Sequence, residues 1–291
     1  MKAEKAWQIS ISLLSKEGAG MAEDRITRSG QIKVYLGKCF RIFSTEKQWK
    51  NFISTALIMA IISMVTGKDM FVSFSDTRNG SFAIICACIW IGIFNSIRSI
   101  CRERDIVRRE HRTGLNLASY MAAHWLYEAA LCAAEGVVVT LIVRIMSFDH
   151  FIEKAVFLPP IIEIYISFFL IIFSSDALAL LISSVVRTEN TAMTVMPFAL
   201  IVQLVMSGVI FELNGITKLI SNLTISRWGM DAICASARIN NMMEVGLGFV
   251  EALPEQDATR GNLLMLWLIL LGFAVAYGVL ATIALSFVDE G

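Results

Sequence analysis

Charge is scarce in this 291-residue chain: 17% of its residues are Asp, Glu, Lys or Arg, against 56% hydrophobic. A soluble protein of this length carries more charge, so a water-soluble globular fold is excluded. The formal net charge is zero, and no nucleic-acid partner is expected from such a balance. Catalytic signatures are missing too. There is no G-x-x-x-x-G-K-[ST] run to cradle phosphates, no G-x-S-x-G and no His-Glu-x-x-His. No catalytic residue and no cofactor is therefore assigned to the sequence. His111, His124 and His150 are scattered and form no metal-ligand cluster. Cys86, Cys88, Cys101 and Cys132 lie in or beside apolar runs, Cys39 lies in the basic N-terminal part, and only Cys234 falls in a segment expected outside. No extracellular disulfide is available to such a set. The first thirty residues lack the charged, apolar and cleavage regions of a signal peptide.

What is abundant is apolar sequence in runs long enough to cross ~30 Å of hydrocarbon as helices. Spans are expected at about residues 49–66, 81–100, 116–148, 160–186, 191–211 and 262–288. Lys47, Trp49 and Lys50 anchor the first at the interface, and Pro197 interrupts the fifth. Before them, Ile32, Leu36, Cys39, Phe40 and Phe43 share a helical face while Lys33, Lys38 and Arg41 stand off it. A basic amphipathic helix at residues 31–48 therefore lies in the headgroup plane, after a cytoplasmic segment 1–30. Residues 212–262 are mostly outside yet too apolar for a free loop, so 216–223 and 225–233 dip back as a hairpin. The fold class is an all-α membrane protein of six spans occupying residues 49–288. Ten Lys or Arg in residues 1–50 place both termini in the cytoplasm.

The densest charge follows the second span. Arg98, Arg102, Arg104, Arg108, Arg109 and Arg112 fall within fifteen positions, tempered by Glu103, Asp105 and Glu110. Such a run marks the cytoplasmic side, and a part-charged, part-apolar helix held under the membrane suits docking on a soluble partner. In the third span Glu128 and Glu135 are seven apart on one face. Glu128 is expected near the inner interface, within reach of the arginines. Asp176 and the Ser174-Ser175 and Ser183-Ser184 pairs in the fourth span read as close-packing positions.

Glu103-Arg104, Arg109-Glu110, Gly114, Ser119-Tyr120 and Glu128 together resemble the coupling helix and third-span start of G-subfamily ABC exporters of the White and pleiotropic drug resistance kind. Leu115 and Ala129-Ala130 depart from that pattern. The run Asn190, Ala192, Pro197, Ser207-Gly208 is similar to the fifth span of the same family, and Ser226-Arg-Trp-Gly-Met-Asp-Ala-Ile233 to its outer hairpin. The resemblance implies the permease half of an ATP-driven exporter in the plasma or inner membrane. Its partners would be an ABC ATPase subunit carrying ATP and Mg, a second permease half of the same or a homologous chain, and membrane lipid. Glu103, Arg104, Arg109, Glu110, Gly114 and Glu128 would couple it to the ATPase. Family geometry further implies a cargo cavity with Ile91, Phe94 and Asn95 on one wall and Phe198, Val202 and Met206 on the other. A mostly apolar wall of this kind suits a hydrophobic or amphipathic cargo. The competing readings are a secondary carrier, which needs matching repeats with broken helices, a membrane enzyme acting on lipids, which needs a catalytic cluster, and a non-transporting anchor or sensor, which needs no coupling helix. No internal repeat is visible.

Overall fold

The computed structural model describes residues 27–45, 49–66, 70–147, 150–211, 215–248 and 250–288. Most of the expected cytoplasmic segment 1–30, the anchor Lys47 and the acidic pair Asp289-Glu290 lie outside the described residues. Among the described residues every regular element is helical. In chain order these are α1 (Arg28–Thr45), α2 (Lys50–Thr66), α3 (Phe74–Ser96), α4 (Ser99–Arg112), α5 (Leu117–Met146), α6 (Pro160–Val185), α7 (Glu189–Val205), α8 (Ile216–Ser221), α9 (Ile225–Ser236), α10 (Met243–Gly246) and α11 (Arg260–Val288), with short 3-10 turns at Ile239–Asn241 and Pro254–Gln256.

Among the described residues four stretches are long and apolar enough to cross a bilayer: α3 run on into α4, then α5, α6 and α11. The pair α1 and α2, set at 70° to each other, makes a fifth when counted together. α7 is apolar but has 17 residues, or about 26 Å of helix against ~30 Å of hydrocarbon. The chain is thus a multi-pass helical protein.

Caps move several boundaries from where hydropathy sets them. α3 begins at Phe74, seven positions before the expected Ser81, because Ser73 Oγ accepts from the Asp76 amide at 3.1 Å and donates to the Asp76 carboxylate at 2.7 Å. That reciprocal pair satisfies a free amide of the first turn. Asp76 and Arg78 consequently belong to the helix, and Arg78 reaches the Gly208 carbonyl at 3.0 Å, beyond the end of α7. Asn116 caps α5 in the same way by accepting from the Ser119 amide, and Thr188 caps α7 through the Thr191 amide. Pro160 opens α6 at the position where a missing N–H costs nothing. Glu163 then accepts from the amides of Val156, Phe157 and Leu158 at 3.1–3.3 Å, so one buried carboxylate folds the connection down onto the helix it precedes.

α6 is the centre of the bundle, packed against α3, α5, α9 and α11. Its buried residues lie all round the helix, as expected of an element apolar on every side. Serine and glycine set the close approaches. Ser174 Oγ donates to the Leu270 carbonyl of α11 at 2.7 Å, and Trp267 of α11 donates to Ser167 Oγ at 3.0 Å. A second, smaller apolar cluster of Ile100, Val107, Leu115, Leu117, Tyr120, Leu180 and Leu285 joins α4 to the ends of α5, α6 and α11.

Both halves of the expected outer hairpin are helical, as α8 and α9. Gln203 of α7 holds the start of α9, accepting from the Ser226 amide at 3.1 Å through its side chain and from Ser226 Oγ at 2.5 Å through its carbonyl. Arg227 donates to Ser221 Oγ at 2.8 Å and Trp228 to the Asn222 carbonyl at 2.8 Å, tying α9 back onto α8. A Cβ at Gly229 would meet Ile171 at 3.0 Å, so the Arg-Trp-Gly string is a packing device here. Burial pushes the Asp231 carboxyl up to about 7, against the opposing pull of its bond from Gln256 at 3.1 Å and of nearby Arg227. A folded value above the ordinary ~4 means that Asp231 contributes stability at acid pH and loses it as pH rises through about 7. The hairpin is expected to unfold at lower temperature at about pH 8 than at about pH 6, with Asp231→Asn flattening that difference. An equal pH slope in the Asn variant would assign the effect to another group.

Candidate functional site

α4 is built to be held on one side and offered on the other. Ile97 and Arg98, both in the right-handed helical region, carry α3 into it almost without a break. Its free first-turn amides at Ile100 and Cys101 both donate to Ser183 Oγ of α6 at 3.1 Å, and the Arg104 guanidinium donates to the Ser184 carbonyl. Glu103 accepts from Lys38 of α1 at 3.0 Å and from Tyr120 of α5 at 3.3 Å. Glu110 accepts from the Tyr35 hydroxyl of α1 at 2.6 Å. Burial and then the Glu110 carboxylate push the Tyr35 phenol upward, so it remains the donor of that bond.

The turn out of α4 is fixed from α1 as well. Gly114 sits at φ 110°, a left-handed conformation that a side chain would strain. Gln31 donates to the Gly114 carbonyl at 3.3 Å and accepts from the Asn116 amide at 3.0 Å. Gln31, Tyr35 and Lys38 recur at helical spacing, so a single polar stripe on α1 grips α4 and the turn after it. That spacing is visible in the sequence but is masked by the stronger apolar stripe beside it.

Of the six residues expected to couple, Glu103, Arg104 and Glu110 therefore face the bundle, and Gly114 shapes the turn. Arg109 is exposed, with its Nε donating to the Asp105 carbonyl at 3.1 Å. The exposed face of α4 is Arg102, Asp105, Ile106, Arg109 and Arg112. Glu128 is not held by an arginine. Its hydrogen-bond partner is Ser96 of α3, and its Oε2 has no partner among the described residues. The reason is position: Glu128 lies about 17 Å along α5 from the turn at its start.

Sequence reasoning treats Asp176 as a packing residue, whereas the structure makes it part of a buried polar group. Ser96 Oγ donates to Asp176, so Ser96 joins Asp176 of α6 and Glu128 of α5. Glu135, one face-repeat further along α5, accepts from Asn95 at 2.6 Å and Thr55 of α2 at 3.4 Å. Three carboxylates are thereby buried between α2, α3, α5 and α6. Buried polar groups of this kind hold helices in one register only while their bonds are made.

Next to this group a cleft of about 370 Å³ opens at the arginine-rich end of the bundle. Phe94, Asn95, Arg98, Arg102, Glu103, His124, Glu128 and Glu189 line it, with Ile42, Ile106 and Leu131 as apolar wall. Phe94 and Asn95 thus stand where a cavity exists. Ile91 is 3% exposed and belongs to the core behind them. Phe198 and Val202 project from the outside of α7, 66% and 51% exposed, and Met206 is half-buried at its end. The structure of one chain does not close the second expected wall onto the first; it leaves that wall as an open apolar face.

The family model for ABC-2 type transporter matches residues 31–237. Over 150 residues the chain is 27% identical to the ABC transporter ATP-binding/permease protein Rv1747 of Mycobacterium tuberculosis. That alignment covers 51% of this chain and 17% of the relative, so the likeness concerns a small part of a much longer protein.

Proposed function

This chain belongs to the ABC-2 type transporter family, and on that premise we propose that it forms one transmembrane half of an ATP-driven exporter of the G-subfamily kind. ATP and Mg would be bound by an ABC ATPase lying outside these 291 residues, and a second permease half would complete the pathway. The observation that carries the reading is the two-sidedness of α4. Its inner face is bonded to α1, α5 and α6, and its outer face presents Arg102, Asp105, Ile106, Arg109 and Arg112 to a partner. Any push on that face is transmitted through Ser183 and Ser184 to α6, the central helix, and through Glu103 and Glu110 to α1 and α5. The exposed apolar face of α7 supplies surface for the second half, and a hydrophobic or amphipathic cargo fits walls of this composition.

A photo-crosslinking side chain in place of Arg109, activated in native membranes, is expected to capture an ABC ATPase domain identifiable by mass spectrometry. Failure of that capture, with the chain present in the membrane, would remove the coupling assignment. The proposed orientation places six spans in the cell membrane with both termini cytoplasmic and the α8–α10 region outside. Asn241 is exposed. A single cysteine placed there, with the six native cysteines replaced, is expected to react with an impermeant thiol reagent on intact cells. Reaction only after permeabilisation would invert the topology.

A further inference from the structure

The cleft beside α4 carries charge that its own side chains leave unmatched. Arg98 is exposed at the junction of α3 and α4, and among the described residues no carboxylate pairs with it. Its guanidinium rests over the Phe94 ring, 6.0 Å from the centroid, which holds it at the mouth of the cleft. Across the cleft Glu189, the first residue of α7, is exposed and pairs with no cation among the described residues. Deeper in, Glu128 Oε2 is buried and has no hydrogen-bond partner among the described residues. Glu103 also lines the cleft, but Lys38 and Tyr120 already occupy it. The rest of the lining is mixed: Arg102, a second cation, stands with the polar Asn51, Asn95, Ser99, His124 and Tyr127, while Ile42, Ile106, Leu131 and the Phe94 ring give the apolar part.

We propose that this cleft binds the headgroup of a zwitterionic phospholipid bearing a primary ammonium, of the phosphatidylethanolamine class. The phosphate meets Arg98, a charge-assisted contact that arginine makes in two-pronged geometry. The ammonium reaches the carboxylates of Glu189 and Glu128, and the first acyl carbons run along Ile42 and Leu131. An anionic headgroup without an amine would satisfy Arg98 but bring negative charge beside two carboxylates. A cationic amphiphile would suffer the reverse conflict at Arg98. Only a headgroup carrying both signs matches both sets. A quaternary ammonium lacks the N–H groups that carboxylate oxygens accept, which separates ethanolamine from choline. The volume of about 370 Å³ lies at the small end of ligand clefts, enough for a headgroup with its chains left in the bilayer. Bound there, the lipid touches α3, the start of α4 and the start of α7, so its occupancy bears on the position of the helix proposed to meet the ATPase.

The proposal rests on the exporter reading only for placing the cleft at a lipid leaflet, and its test uses no ATPase. The purified full chain is exchanged into detergent containing equal phosphatidylethanolamine, phosphatidylglycerol and phosphatidylcholine, washed, and its retained lipid measured by native mass spectrometry. Phosphatidylethanolamine is expected to be retained about fivefold over the other two. Arg98→Gln and Glu189→Gln should each bring retention to parity, and Arg98→Lys should preserve the preference. Both positions are exposed, and a single monodisperse elution peak checks that the variants fold. Equal retention of phosphatidylglycerol would reduce the cleft to an anion site, and equal retention of phosphatidylcholine would remove the role of the ammonium; either overturns the proposal. A preference unchanged in both Gln variants would place the lipid elsewhere. ATPase capture at Arg109 is independent of each of these results, so failure of one reading is not failure of the other.

Discussion

Replacing Ile106 by Asp together with Arg109 by Glu is expected to weaken binding of the ABC ATPase by about tenfold or more, while the protein still reaches the membrane in full amount. The two side chains lie one turn apart on the exposed face of α4, and neither is used to hold that helix. Ile106, 41% exposed, is the apolar centre of the face and Arg109 its adjacent charge. An apolar anchor beside an arginine is the composition that interfaces use where truncation is costly. Cargo-dependent ATP hydrolysis should fall with binding. The neighbouring residues behave differently. Glu110→Ala or Tyr35→Phe breaks a bond between α1 and α4 and should lower thermal stability by about 1 kcal/mol or more before it touches assembly. Reversing Glu110 together with Arg109 would mix these two effects, which is why the first pair excludes it. Normal ATPase binding by the Ile106→Asp, Arg109→Glu variant, measured by co-purification, would show that the exposed face of α4 is not the dock.

A side chain at Gly92 is expected to cost the protein much of its fold. A Cβ there would run into the Ile172 carbonyl of α6 and come within 2.9 Å of Ser175 Cβ and 3.0 Å of the Asp176 amide. Two of those three neighbours are backbone, so relief requires moving α3 away from α6. That shift would also separate Ser96 from Asp176, one turn further along, and expose a buried carboxylate to the loss of its bond. Gly92→Ala should destabilise by about 1–3 kcal/mol, and a larger residue by more. Gly80 provides the comparison. Its virtual Cβ lies 2.7 Å from Met70 Cγ, but that neighbour belongs to a flexible side chain. Gly80→Ala should therefore be the milder of the two. The folded fraction in fluorescence-detected size exclusion and the unfolding temperature distinguish them, and an unchanged profile for Gly92→Ala would mean that α3 and α6 do not meet as described.

The relation between α1 and α4 shows where reading the chain succeeds and where it stops. The apolar repeat Ile32, Leu36, Cys39, Phe40, Phe43 places a helix that the structure extends to Arg28–Thr45. Its polar partners on the other stripe, Gln31, Tyr35 and Lys38, acquire meaning only when α4 is laid against them. The same holds for α3, whose apolar run marks the crossing while the Ser73–Asp76 cap decides where the helix starts. The α8 and α9 hairpin follows from residues too apolar for a loop, yet the grip of Gln203 on Ser226 does not.

Hydropathy and charge by themselves determined that the chain is a helical multi-pass membrane protein, with an amphipathic helix at Arg28–Thr45 and a charged helix at Ser99–Arg112. Those properties are periodic or cumulative along the chain, and local spacing reveals them. The motif residues between Glu103 and Glu128 likewise pointed to the transporter family that the family model matches. Tertiary structure alone decided which charged residues of α4 face inward, that Glu128 bonds to Ser96, that Asp176 joins a buried polar group, and that Arg98 and Glu189 share a cleft. These pairings connect residues about 30 to 90 positions apart on helices whose relative rotation no single helix records, because a side chain's partner is set by how packed surfaces meet.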